Sequence, residues 1–478
     1  MEDRNEVSGS QTATGRPSRR QLALLGGLAA VLLLAMLCLV AVTGVGGFLW
    51  LRSAQVATTE APASIATPAV PATQDAVDGA PATGLAGAAS SAAVNRIAFV
   101  DPAGRLGTVA PDGSDRRVLS APGATYRFPA WAPDSSRIAA VGIEENRGGV
   151  YIWTDEADAP RASLYSSGNQ PPIYLYWSPD SRQVSFLASD RASLGLWLAA
   201  ADAASPARQI ASGQPFYWDW GQDSDQLFIH TGGLDDDAQL AFLDAASQQT
   251  GDNVARPGLF QAPGISAGGR HLAYAQSDGD EFQVVVEDRS SGRRSAVPHL
   301  GLAALGWSPT EQRLAFTSPR VDQLTSAGPL RLLDGETGQV TTLVQDTVFA
   351  FFWSPDGRRI AYLTIESGGN SPGAGRPVGL ASQPAQHSRL ALRLWVVDVA
   401  SGQQQPLLSF RPSPIFLSQF IPFFDQYALS HRLWSPASDA LVLPMLDGNG
   451  NSAIHVVSVE SGEATRVAEG TMAFWSWR

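Results

Sequence analysis

The sequence predicts an all-β fold, an eight-bladed β-propeller closed by its N- and C-terminal strands, with seven blades the next best count. Three observations lead there. A ten-residue motif recurs from about residue 93 to the C-terminus. The 46 Gly and 32 Pro in 478 residues favour short strands and many turns over long helices. The two ends of the repeat region are complementary halves of one repeating unit.

In chain order, residues 1–20 read as a cytoplasmic tail, 21–51 as a single transmembrane helix, 52–94 as a disordered linker and 95–478 as the propeller. Leu22 to Leu51 carries no charge. Such a helix would be ~45 Å long, more than the ~30 Å hydrocarbon core needs. It also exceeds the ~7–15 apolar residues of a cleaved signal. Arg16, Arg19 and Arg20 precede it and only Arg52 follows closely, which predicts a single-pass membrane anchor with a cytoplasmic N-terminus and an extracytoplasmic propeller. The single Cys, Cys38, lies inside this run after Leu37, where it reads as an inert thiol. One Cys excludes an internal disulfide. The Ala/Thr/Pro-rich segment 52–94 has too few large apolar side chains to offset chain entropy, and as a coil would span about 35 Å.

The propeller repeat is most complete at Trp353-Ser354-Pro355-Asp356-Gly357-Arg358-Arg359-Ile360-Ala361-Tyr362. Further copies start at Trp131, Trp177, Trp220, Ile265, Trp307 and Trp434, each with an aliphatic residue seven places on. Successive starts are 42 to 46 residues apart, except for one step of 81. Periods of this size signal propellers or solenoids. Each unit reads as four strands: one ending at the Trp, a Pro-Asp-Gly turn, an IAF-type strand, then two strands joined by a turn such as Asp398 to Gly402. The region begins with an IAF-type strand, Ile97 to Val100, that lacks its first strand. It ends with a first strand at Trp475 that lacks its second. Joining them closes a ring of eight and leaves no open edge.

The W-S-P-D-G-x-x-I-A-F/Y pattern resembles the WD40-like repeat of TolB-type β-propellers, over about 385 residues. The resemblance implies protein partners. Eight blades depart from the six common among TolB-like propellers and match those of prolyl-oligopeptidase-type peptidases.

Candidate chemistry is sparse. Trp131, Trp177, Trp220, Trp307, Trp353, Trp434 and Trp475 hold repeat positions and read as packing residues between blades. Gly264-Ile265-Ser266-Ala267-Gly268 matches a nucleophile elbow, but it coincides with a degenerate repeat, in strand–turn–strand context. The six His form no i, i+4 pair. Asp235-Asp236-Asp237 and Asp447 to Asn451 hold oxygen ligands, but the second lacks the Gly and Glu of a calcium loop, and both read as solvated turns. No cofactor, catalytic residue or metal site is expected.

The 81-residue step holds two insertions, 366–388 and 410–431, on connections that emerge on one face of the seventh and eighth blades. The second carries Phe410, Phe416, Phe420, Phe423, Phe424 and Tyr427. Those aromatics predict either an interaction loop or a cover folded over the propeller core. A formal charge of −12, with all 33 basic residues Arg, argues against a nucleic-acid partner. The expected function is therefore a non-enzymatic protein-binding or scaffold module at the cell envelope. The alternatives are a small-ligand or glycan sensor and, behind it, a hydrolase-type enzyme with a site at the channel mouth.

Overall fold

The computed structural model describes residues 95–478, apart from 158–159, 190–192, 234–236, 260, 279–280, 322, 324 and 367–389. The expected membrane span, the linker and nearly all of the first insertion lie outside these residues. Among the described residues no helix is long and apolar enough to cross a membrane.

Among the described residues, thirty strands form eight antiparallel sheets, six of four strands and two of three. Blade 1 is built from both ends of the chain, with Ile97–Val100 pairing Leu106–Val109 on one side and Met472–Trp475 on the other. Ile97 lies opposite Trp475 and Val100 opposite Met472. Blades 2 to 8 follow at 125–167, 172–213, 216–244, 264–299, 304–348, 350–410 and 440–469. Every IAF-type strand expected from the sequence is the second strand of its blade. Among the described residues blade 4 has no regular outer strand. Blade 8 has no regular inner strand; Leu433 and Trp434 stand in, with Trp434 bridged to Leu441.

The motif turns also join blades. In blade 7 the Ser354 hydroxyl accepts from the Arg359 N–H at 2.9 Å and donates to Asp356, whose carboxylate accepts from the Arg358 N–H. Gly357 has φ +69°, and a Cβ there would lie 2.0 Å from the Thr310 hydroxyl of blade 6. Four other copies place Ser at this left-handed position, namely Ser135, Ser181, Ser224 and Ser438. Each hydroxyl accepts a backbone N–H from the preceding blade: Trp477, Asp134, Asp180 and Asp356, at 3.0 to 3.1 Å. An inter-blade hydrogen bond thus offsets the backbone strain of a non-Gly residue at positive φ.

The motif Trp residues form a second ring of ties. The indole N–H of Trp177 donates to Ala130 O, that of Trp353 to Gly306 O and that of Trp434 to Phe352 O, each at 2.9 Å. In each case the acceptor is the residue before the motif Trp of the preceding blade. Trp220 donates to the Ser185 hydroxyl and Trp475 to Asn95, still across a blade boundary or the ring closure. Trp131 is buried without such a partner. Where blade 5 has Ile265 in place of Trp, the tie is broken, and the Trp307 N–H packed on Gly264 has no acceptor.

Candidate functional site

The aromatic insertion runs down the middle of the ring. It enters beside the end of blade 8, where the Ser413 N–H donates to Pro444 O. Phe416–Phe420 forms a π turn, Ile421–Phe423 a 3₁₀ turn and Phe424–Ser430 a short helix, α1. The chain leaves as the inner segment of blade 8, Arg432 to Trp434.

Of the two expectations for Phe410, Phe416, Phe420, Phe423, Phe424 and Tyr427, the structure shows the cover packed on the core and corrects the exposed interaction loop. Phe416 and Phe420 are 0% exposed, Phe410, Phe424 and Tyr427 are buried, and Phe423 is partly buried. They pack on inner strands around the ring: Tyr427 against Phe128 of blade 2 and Tyr174 of blade 3, Phe424 against Phe351 and Phe352 of blade 7, and Phe420 against Phe474 of blade 1. The physical reason is the empty axis of an eight-bladed ring, which leaves apolar side chains and one row of backbone polar groups without partners unless something fills it.

The polar side chains of the insertion complete those backbone groups. Gln426 reads both polar groups of Trp218 in blade 4: its oxygen accepts from the N–H at 3.1 Å and its amide donates to the C=O at 2.9 Å. The side chain stands in for a neighbouring strand. The Tyr174 hydroxyl is 2.9 Å from Gln426 O and 2.8 Å from the Ser430 hydroxyl. His431 Nε2 lies 3.0 Å from Phe128 O and Nδ1 2.6 Å from the Ser430 hydroxyl. A carbonyl only accepts, so Nε2 carries the proton and Nδ1 accepts from Ser430. Burial pushes the His431 pKa down to about 4.

That shift carries a pH prediction. A histidine with a folded pKa near 4 and an unfolded one near 6.5 contributes stability that is present above the unfolded value and lost as pH falls toward the folded one. His431→Gln keeps a donor for Phe128 O and removes the titration. Between pH 7 and about 5 the variant should lose about 2 kcal/mol less stability than the wild type in denaturant titrations. Asp219 and Asp425, each raised to about 6 by burial, act in the opposite sense, so the single variant is needed to isolate His431.

The insertion fills one end of the channel. At the other end, among the motif turns, a cup of about 390 Å³ remains. Tyr176, Trp307, Trp353 and Trp477 help form its wall, and Asp219, Asp425, His431 and Arg432 also line it. Asp219 is spent on structure, accepting from the Tyr176 hydroxyl, the Trp220 N–H and the Ile265 N–H. Asp425, in α1, accepts from the Ala262 N–H at 3.1 Å. The Arg432 guanidinium lies 4.1 Å from the Trp477 ring centre, and burial lowers its pKa to about 10. Neither Asp425 nor Arg432 forms an ion pair among the described residues.

The remaining candidates lie apart. Trp131, Trp177, Trp220, Trp434 and Trp475 are buried, while Trp307 and Trp353 are partly exposed at the cup. Ser266 is 0% exposed and accepts from the His271 N–H, and only the three-residue 3₁₀ turn Ala267–Gly269 separates it from the next strand. The Asp447 carboxylate caps its own exposed turn through the Asn449 and Asn451 N–H groups. Asp235 and Asp236 lie outside the described residues. Among the described residues no three His, Cys, Asp or Glu side chains gather as metal ligands. Sequence reasoning missed Asp425, Gln426, His431 and Arg432. The signal was there in spacing: Phe416, Phe420, Phe424 and Tyr427 recur at four, four and three residues, a helical period in a strand-built chain.

The solved structures this chain is similar to include TolB from Acinetobacter baumannii, at 20% identity over 53% of this chain and 64% of that one, with a TM-score of 0.34. An oligogalacturonate lyase in complex with manganese aligns at 13% identity over 69% of this chain and 84% of that one, TM-score 0.43. A prolyl endopeptidase aligns at 11% identity over 74% of this chain and 50% of that one, TM-score 0.47. No family model and no curated protein matches the chain. The fold is an eight-bladed β-propeller, and its repeat resembles that of TolB-type propellers.

Proposed function

We propose that this TolB-like propeller is a membrane-tethered, extracytoplasmic, non-enzymatic protein-binding module of the cell envelope, and that it receives a protruding segment of its partner in the cup. The observation that supports this most is the cup itself: partly exposed aromatic walls around two carboxylates, Asp219 and Asp425, and the Arg432 guanidinium, none of them ion-paired among the described residues. Such a site suits a chain segment carrying both apolar and charged groups. The uncharged run Leu22 to Leu51 supports the tether. Ser430 and His431 meet as a hydroxyl and an imidazole, but Ser430 is buried and does not line the cup, and Asp219 there accepts three hydrogen bonds.

Ala428 lies exposed on α1 and lines the cup, so Ala428→Arg should fill it without disturbing the buried aromatics. Affinity purification of the tagged full chain from its native membranes should recover a near-stoichiometric protein that the variant loses. A partner retained by the folded variant would move the interface elsewhere. A second reading, a small-ligand or glycan sensor, is favoured by the aromatic wall alone. It would gain if no protein co-purified while the cup bound a sugar or metabolite that Ala428→Arg excluded.

A further inference from the structure

A second cavity, of about 340 Å³, lies far from the axis between blades 5 and 6. Among the described residues its lining includes His299, Ser318, Arg320, Arg331 and Gln345, and no carboxylate; Asp322 lies outside the described residues. In a chain of net charge −12 this is a local reversal of sign.

Arg331 stands on the third strand of blade 6, Gly328–Asp334. Its guanidinium lies 4.3 Å from the Phe316 ring centre and donates one N–H to the Ser318 hydroxyl. Its Nε is buried with no acceptor, and it has no ion pair among the described residues. Burial alone lowers its pKa. The contrast is Arg96, buried between blades 1 and 2, which meets Asp155 at 2.6 Å and Asp115 at 2.7 Å. His299 is 6% exposed, and its Nε2 also has no partner. Arg320 is held at the rim by the Gln345 carbonyl and side-chain oxygen. The acid nearest Arg331 in sequence, Asp334, is engaged elsewhere: it lies 3.9 Å from Arg313 and its carboxylate accepts from the Glu336 and Thr337 N–H groups of its own turn. A desolvated guanidinium without a counter-ion is costly, and an oxyanion is the natural complement of its free edge.

The rim is apolar. Four large hydrophobic side chains stand out as exposed among the described residues, and three of them, Leu300, Val321 and Val340, belong to this region. Leu300 lines the cavity, Val321 follows Arg320, and Val340 is two residues from Thr342 in the wall. Pro298, Pro319 and Pro329 complete the apolar lining.

We propose that this cavity is a binding site for a small organic acid, its carboxylate held by Arg331 and Arg320 and its apolar body by the Leu300 and proline rim. The site is independent of the cup and of the function proposed for it.

The test is a calorimetric titration of the purified full chain with hexanoate, acetate and hexanol as probes. Hexanoate should bind saturably, acetate more weakly and hexanol not at all. Arg331→Met should weaken hexanoate binding at least about tenfold, while Arg358→Gln, an exposed arginine outside the cavity, should leave it unchanged. Without any probe, Arg331→Met should melt at or above the wild-type temperature, because it removes an uncompensated charge; a merely structural arginine would lower it. If Arg331→Met does not fold, Arg320→Gln replaces it, with the same direction of loss. No saturation by hexanoate, equal binding of hexanol, or unchanged affinity in the folded Arg331 or Arg320 variant would overturn the proposal.

Discussion

Gln426→Leu should destabilise the propeller by about 4 kcal/mol. The substitution keeps volume and apolar contact but removes the partners of a buried backbone N–H and C=O on Trp218. Each buried polar group left without a partner costs about 1–3 kcal/mol. The Tyr174 hydroxyl also loses the Gln426 amide, 3.2 Å away, although it keeps Ser430. Denaturant titration of the full chain by Trp fluorescence reads this directly, because Trp218 and Trp220 flank the lost bonds. Phe420→Ala provides the comparison, since it removes a fully buried ring and should cost about 3–5 kcal/mol through its cavity. If Gln426→Leu is neutral while Phe420→Ala is not, the insertion contributes by filling space and not by completing inner strands.

Ending the chain at Gly470 should abolish cooperative folding of the propeller. The cut removes Met472–Trp475, all four side chains of which are buried. Met, Phe and Trp truncations to Ala in cores cost about 2–5 kcal/mol each, and the sum rivals the ~5–15 kcal/mol that a domain has in total. The edge of Ile97–Val100 would be laid bare, and the Arg432 carbonyl would lose the Trp475 N–H at 2.7 Å. Calorimetry should show no sharp transition. A synthetic peptide covering residues 471–478 should restore one by pairing with the exposed strand. A truncated chain that melts like the wild type would mean that ring closure adds nothing to stability.

The blades were legible because their determinants are local and repeated. A Trp, a tight turn and an aliphatic residue at fixed spacing announce each second strand, and the half units around Ile97 and Trp475 announce closure. The two irregular blades were not visible at this level: blade 8 takes its inner segment from Leu433 and Trp434, and blade 4 lacks a regular outer strand. The cup was not legible at all. Its carboxylate and guanidinium, Asp425 and Arg432, are seven residues apart with nothing in between that marks them as a pair. Only the placement of the insertion on the ring axis brings both to the channel mouth beside walls drawn from blades 3, 6 and 7. Arg331 and His299 likewise come from different blades, 32 residues apart, and a lone Arg on a strand reads as an ordinary surface residue.

The axial insertion changes the order in which the molecule can be completed. Stacked repeats ordinarily consolidate neighbour by neighbour, each new unit settling on the last. Here residues 411–431 leave the ribosome after seven of the eight second strands, yet they supply partners for strands made hundreds of residues earlier, such as Phe128, Tyr174 and Trp218. Until then those inner edges remain incomplete, and the first blade still waits for its final strand. A nascent chain paused before residue 411 is therefore a ring without a hub, with open strand edges lining its axis. It would be the stage most exposed to wrong pairing and most dependent on a holding chaperone.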